Sequence, residues 1–191
     1  DAIHKIQAEQ ATDLACRWNC KAGKCGSCSA EVNGSPRLMC MTRVEDVAGD
    51  GPITVEPMRA FPVLKDLVTD VSWNYEVKAA IQQVTPREPD FEDGSWEMNQ
   101  YDVERPQEFR KCIECFLCQN VCHVVRDHEE NKESFAGPRF HMRIAELDMH
   151  PLDTVDRKDM AQEEHGLGLC NITKCCTTVC PENITITDNA I

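Results

Sequence analysis

Thirteen cysteines in a 191-residue chain fall into three tight groups, at 16–40, 112–122 and 170–180, with none between Cys40 and Cys112. That much sulfur in so short a chain means either a disulfide scaffold or a holder of metal. The opening Asp1-Ala2-Ile3-His4-Lys5 has no apolar h-region, so no signal peptide and no secretion are expected. Without secretion, clustered cysteines read as metal ligands. The odd count agrees, because disulfides alone would leave a thiol over. Hydrophobic residues make up 41% of the chain and aromatics 6%. That suffices for modest cores, and modest cores need staples such as metals.

The formal charge of −13 argues against a nucleic-acid partner, because that binding rests on Lys and Arg neutralising phosphates. It also disfavours direct docking on anionic lipid, and it suits protein partners. No apolar run approaches the ~18 residues of a membrane helix.

The first group reads Cys20-Lys-Ala-Gly-Lys-Cys25-Gly-Ser-Cys28, with Cys40 following later. This C-x₄-C-x₂-C…C spacing is that of plant-type [2Fe–2S] ligands. Gly23, Gly26 and Ser27 let the backbone wrap closely, glycine having no Cβ to collide, and backbone N–H groups can then point at the sulfurs. A zinc knuckle would be built from two C-x₂-C pairs. The glycine-bearing C-x₄-C favours the cluster.

The second group, Cys112-Ile-Glu-Cys115-Phe-Leu-Cys118-Gln-Asn-Val-Cys122, is the bacterial-ferredoxin run C-x₂-C-x₂-C-x₃-C, whose fourth cysteine serves the other cluster of a pair. The partner run is Cys170, Thr173, Cys176, Cys180 and Pro181, at the same offsets, with threonine in the second ligand position. The crossover rule gives Cys112, Cys115, Cys118 and Cys180 as a four-thiolate set suited to [4Fe–4S]. Cys122, Cys170 and Cys176 form a three-thiolate set suited to [3Fe–4S], with Thr173 able to face the empty corner. Two cysteines are left. Cys16 reads as a small buried hydrophobe. Cys175, beside Cys176, can exchange with it or supply a fourth thiolate.

Elsewhere the chain reads as α+β. Residues 3–15 have helical spacing. Ala30 to Gly34 reads as a strand running into an Asn-Gly turn, and Ile53-Thr54-Val55 as a short strand closed by Pro57. A helix starting at Pro62 is expected from Val63, Leu64, Leu67, Val68 and Val71 on one face. Residues 85–108 read as loop because Pro86, Pro89, Gly94 and Pro106 interrupt it. Asp127 to Glu133 reads as a solvated connection. Pro138 opens a helix with Phe140, Ile144 and Leu147 inward. The six histidines show no metal spacing, and His123 reads as a surface neighbour of a ligand. There is no dinucleotide fingerprint, P-loop or nucleophile–base constellation, so the bond-making site is expected on another chain.

In this order, the motifs resemble the iron–sulfur subunit of succinate dehydrogenase and fumarate reductase, respiratory complex II. The likeness runs through Cys20–Cys28, Phe61-Pro62-Val63-Leu64-Lys65-Asp66-Leu67, Cys112-Ile-Glu-Cys115, Ala136-Gly137-Pro138 and Cys176-Thr-Thr-Val-Cys180-Pro181. It implies a β-grasp ferredoxin domain, set at residues 1–60, followed by a helical two-cluster ferredoxin domain at 61–191. It implies a flavoprotein partner carrying FAD, a membrane-anchor subunit, and a quinone at the membrane interface. It also implies a peripheral position on the cytoplasmic face of a bacterial membrane or, alternatively, on the matrix side of the mitochondrial inner membrane. Family members usually open with a β-hairpin before the first helix and continue in a helix after the last cysteine, so both ends are expected to be truncated. The ligands carry over residue by residue. The quinone contacts do not: the family's proline after the fourth cysteine of the first run is His123 here, and its histidine after the first cysteine of the last run is Asn171. Two other readings stay open, the iron–sulfur subunit of a related membrane oxidoreductase such as a thiol-linked fumarate reductase, and a zinc-stabilised scaffold.

Overall fold

The computed structural model describes residues 1–191. Strand β1 (Ser29–Val32) is buried along its length and pairs antiparallel with β2 (Ser35–Leu38), Val32 standing opposite Ser35. The two are joined by Asn33 and Gly34, with φ of 48° and 72°, the two left-handed residues that a tight hairpin needs. Strand β3 (Val55–Glu56) flanks β1 on its other side, giving the order β2-β1-β3. Pro36 lies in edge strand β2, where a missing donor is tolerated.

Helix α1 (Ala2–Glu9) is shorter than its spacing predicts and buries none of its residues. Beyond it, the Ala15 carbonyl accepts Leu67 N at 3.2 Å and Arg17 donates to the Thr69 carbonyl at 2.9 Å. These bonds hold the segment in extended form against residues 63–69. Cys16 there is half-buried, not fully buried as expected. Short helix α2 (Val44–Val47) follows the first cysteine group.

The helix expected from Pro62 is absent. Residues 63–69 form a hairpin of β4 (Val63–Lys65) and β5 (Val68–Thr69), with Lys65 opposite Val68. The reason lies at Asp66, whose φ of 47° turns the chain after four residues. Val63 and Leu64 stay exposed instead of forming a core stripe. The helix comes later, as α3 (Ser72–Ala79).

Within residues 85–108, only the first part is irregular. Helix α4 (Gln100–Glu104) runs into a 3₁₀ turn at Arg105–Lys111. Pro106 starts that turn and does not interrupt it, since the first turn of a helix needs no N–H there. The irregular part is tied down at its start, where Thr85 N donates to Asp153 Oδ1 at 3.0 Å and Arg87 N to the Leu152 carbonyl at 2.8 Å. Just before it, Arg157, 1% exposed, donates to the carbonyls of Gln82 at 2.9 Å and Gln83 at 3.1 Å. Arg157 also pairs with Asp148 at 2.9 Å and Asp153 at 2.7 Å. The contact with Asp153 Oδ2 is an ion pair without hydrogen-bond alignment.

The second half is helical: α5 (Leu117–Val121), α6 (His123–Arg126), α7 (Pro138–Asp148), α8 (Cys175–Thr178) and α9 (Ile186–Ala190). Helix α7 begins at Pro138 and buries Phe140 and Ile144 as its spacing predicts. The polar run 127–133 contains a 3₁₀ turn at Glu129–Glu133. Lys132 departs from the solvated reading: it donates to the Ala60 carbonyl at 2.6 Å and lies over the rings of Phe61 and Trp73. No helix is long and apolar enough to cross a membrane.

The two halves share one core, in which Cys28, Leu38, Met58, Ala60 and Phe61 pack with Cys115, Phe116 and Leu117. Glu31 of β1, 1% exposed, accepts from Asn120 at 3.0 Å and Arg126 at 3.1 Å. A buried carboxylate is costly unless paired, so this pairing ties β1 to α5 and α6.

His141 on α7 is 1% exposed, packs against Phe135 and Phe140, and has no partner at either ring nitrogen. Burial, with His165 nearby, pushes its pKa down to about 4. The unfolded imidazole titrates near 6.5. The neutral ring therefore favours the fold above pH 6.5, and that contribution, on the order of 3 kcal/mol, is lost as pH falls from 6.5 towards 4. Thermal melts of wild type and His141→Gln are expected to diverge over this window, the variant showing the flatter dependence. Parallel curves would contradict it.

Candidate metal centres

The loop from Cys20 to Cys28 bends through left-handed Lys21, Gly23 and Gly26, with φ of 54°, 66° and 67°. It aims backbone N–H groups at sulfur. Ala22 and Lys24 donate to Cys20 Sγ at 3.4 and 3.2 Å, and Gly23 donates to Cys40 Sγ at 3.3 Å. Cys40 N in turn donates to Cys28 Sγ at 3.4 Å. These contacts bring Cys40, beyond the β1–β2 hairpin, to the other three cysteines. The Cys25 thiol is drawn down to about 6, first by the Ser27 hydroxyl and then by bonds at Cys20, while burial pushes Cys28 up to about 11.

The two later runs are one backbone motif used twice. Glu114 and Phe116 are left-handed at 54° and 59°, and Ile172 and Lys174 repeat this at 58° and 60°. Each pair leads into a short helix, α5 or α8. Thr173 thus takes the place of Cys115, Cys176 that of Cys118, and Cys180 that of Cys122. Cys175 takes the place of Leu117.

Chain crossing brings the runs together. A space of about 340 Å³ is lined by Cys112, Cys115, Cys118 and Cys180. A second, of about 290 Å³, is lined by Cys122, Cys170, Cys175 and Cys176, with Thr173 at its wall. Cys175 thus lines the same space as the three cysteines assigned to the third set, and its Sγ accepts the Thr173 hydroxyl at 3.3 Å. No three His, Cys, Asp or Glu side chains close on a single point. The cysteines stand around spaces wide enough for a polynuclear group.

Desolvation pushes Cys115 up to about 12 and Cys122 to about 11, and drives Cys118 well above the ordinary thiol range. Such sulfurs ionise only against a metal's charge. The buried guanidinium of Arg139 also leaves two nitrogens without a partner beside the larger space. Converging cysteines, room and an orphaned positive donor fit an anionic iron–sulfur group.

The centres adjoin. A Cβ built on Gly26 would lie 2.7 Å from Cys115 Cα, so the first loop rests on the second with no room between them. Ser29 Oγ fastens this contact by donating to the Cys115 carbonyl at 2.8 Å. Cys118 and Cys176, one from each later run, lie in a common core cluster.

His123 is exposed, its Nε2 2.7 Å from Asn171 Nδ2. Arg139 and Gln119 escaped sequence reading. Gln119 donates to Asn74 Oδ1 and the Ala136 carbonyl, both at 3.1 Å, and accepts from Arg139 N at 3.2 Å. Gly137 (φ 84°) has no room for a Cβ against that amide. The Gly-Pro pair marked the helix start but gave no sign of which side chain would turn inward.

Residues 1–76 match the family model of a 2Fe-2S iron-sulfur cluster binding domain, and residues 108–184 match that of a 4Fe-4S dicluster domain. The fumarate reductase iron-sulfur subunit of Mycobacterium tuberculosis is 34% identical over 194 residues, covering 96% of this chain and 74% of that one. One subunit of the fumarate reductase (CoM/CoB) of Methanothermobacter marburgensis is 32% identical over the whole chain, which spans 36% of that longer protein. A chain of the Mycobacterium smegmatis Sdh1 complex in the apo form superposes with a TM-score of 0.93 at 73% identity, covering 98% of this chain and 78% of its own. Taken with the two cysteine-walled spaces, these likenesses show that the chain belongs to the iron–sulfur subunit family of succinate dehydrogenase and fumarate reductase.

Proposed function

We propose that this chain carries single electrons between a flavoprotein that holds FAD, acting on succinate or fumarate, and a membrane quinone. The observation that carries this reading is the contiguity of three cysteine sites, joined through Gly26–Cys115 and Cys118–Cys176. When bound, iron–sulfur groups supply one-electron redox chemistry. Cys20, Cys25, Cys28 and Cys40 hold [2Fe–2S]. Cys112, Cys115, Cys118 and Cys180 hold [4Fe–4S]. Cys122, Cys170 and Cys176 hold [3Fe–4S]. The first part, residues 1–60, is of β-grasp type, a reading supported by the antiparallel sheet β2-β1-β3 beside the cysteine loop. Residues 61–191 form the helical ferredoxin part.

Exposed apolar side chains flank both ends of the series, Trp18, Met41 and Val44 near the first loop and Leu169 and Ile172 near the last. Such side chains are open to protein partners, here a flavoprotein and a membrane-anchor subunit. The chain would then sit peripherally, on the cytoplasmic face of a bacterial membrane. A second reading, a thiol-linked fumarate reductase, draws on the likeness to the CoM/CoB enzyme. Low-temperature EPR of the intact complex tests the main one. An oxidised three-iron signal, and a [2Fe–2S] signal on adding succinate, are expected; no signal in either state would remove it.

Thr173→Cys is expected to place a thiol where Cys115 stands in the sister run and to convert the third centre to four irons. The measurement is loss of the oxidised three-iron EPR signal with a rise of about one iron per chain. An unchanged iron count would mean that residue 173 does not face the open corner.

A further inference from the structure

Arg139 is the second residue of α7 and only 9% exposed, a depth at which arginine is almost never found unless paired. Its pairing is partial. Nη2 donates to Glu114 Oε1 at 2.8 Å, while Nε and Nη1 have no partner. Folded proteins rarely leave buried donors so, and an unmatched one calls for a reason. The side chain lines the space walled by Cys112, Cys115, Cys118 and Cys180. It cannot easily swing away, because Gln119 holds its backbone N–H and the tight Gly137 precedes Pro138.

We propose that the free Nε–H and Nη1–H of Arg139 donate to sulfur of the centre held by Cys112, Cys115, Cys118 and Cys180, and that this guanidinium holds the centre's reduction potential up. The proposal rests on the cofactor assignment above. Reduction adds one negative charge to a group already surrounded by four thiolates. A fixed positive charge in a poorly solvated site stabilises the reduced form more than the oxidised one, and hydrogen bonds to cluster sulfurs are a recognised determinant of potential. Glu114 works against it. That carboxylate takes Arg139 on one side and Lys78 on the other, so it sets how much positive field remains.

The test is a redox titration of the assembled complex, followed by EPR. Arg139→Gln is expected to lower the midpoint of the [4Fe–4S] centre by about 59 mV or more, a tenfold change in a one-electron equilibrium, and to leave the [2Fe–2S] midpoint unmoved. Glu114→Gln is expected to raise the [4Fe–4S] midpoint. Opposite shifts confined to one centre support the proposal, since general loosening would not produce both. An unmoved midpoint in Arg139→Gln with the signal intact overturns it, as does a common shift of both centres. If Arg139→Gln fails to retain the centre, Glu114→Gln decides: an upward shift supports the proposal, and an unmoved or lowered midpoint overturns it. A wild-type complex lacking the [4Fe–4S] signal overturns the cofactor assignment, and the proposal with it, before any substitution is made.

Discussion

Cys115→Ser is expected to abolish the [4Fe–4S] EPR signal while the [2Fe–2S] signal persists. Cys115 is 8% exposed and lines the space it shares with Cys112, Cys118 and Cys180. A serine hydroxyl is a poor ligand for iron that prefers thiolate. Losing a neighbour that only orients a ligand already costs 10–100-fold; losing the ligand is expected to cut succinate-dependent quinone reduction more than about 100-fold. The first centre should survive because its four cysteines lie at 20–40, and serine still fits beneath Gly26. Loss of both signals from a folded chain would mean that the two loops assemble as one unit through the Gly26–Cys115 contact. Retention of both would remove Cys115 from the ligand set.

Arg157→Ala is expected to be the most damaging change away from the cysteines. Removing one member of a buried ion pair leaves an uncompensated charge and costs about 3–5 kcal/mol. Here Asp153, also 1% exposed at its side chain, loses its ion-pair partner, and Asp148 loses a hydrogen bond. Three carbonyls, of Gln82, Gln83 and Val155, lose a donor as well. For a chain of this size that corresponds to a fall in the thermal midpoint of roughly 6–20 °C, readable by circular dichroism of the complex. Arg157→Lys should recover only part, since an ammonium cannot reproduce the planar fork that reaches two carboxylates and three carbonyls. A melt within a degree or two of wild type would show that water satisfies these groups once the guanidinium is gone.

Sequence and structure agree where one local rule decided the outcome. Asn33-Gly34 permits left-handed backbone at two successive residues, and the hairpin follows. Gly137-Pro138 opens α7 because proline suits a first helical turn. They part where two rules competed. Val63, Leu64, Leu67 and Val68 satisfy both helical spacing and strand composition. The left-handed Asp66 settled it for a hairpin, which exposes two side chains that a helix would have buried. Pro106 read as an interruption yet begins a turn, because the same missing N–H ends one element and starts another.

The cysteine spacing by itself determined that this chain is built around iron–sulfur groups, with the 2Fe-2S type preceding the 4Fe-4S dicluster type along the chain. Spacing has that power because each loop must wrap a group of fixed size. The tertiary structure alone decided what surrounds those groups. It closed Gly26 onto Cys115, drew Cys175 to the wall of the third space, and turned Arg139 inward beside the second. Such contacts join residues far apart in the chain, and they depend on how α7 packs against the cysteine loops, which no local pattern of residues encodes.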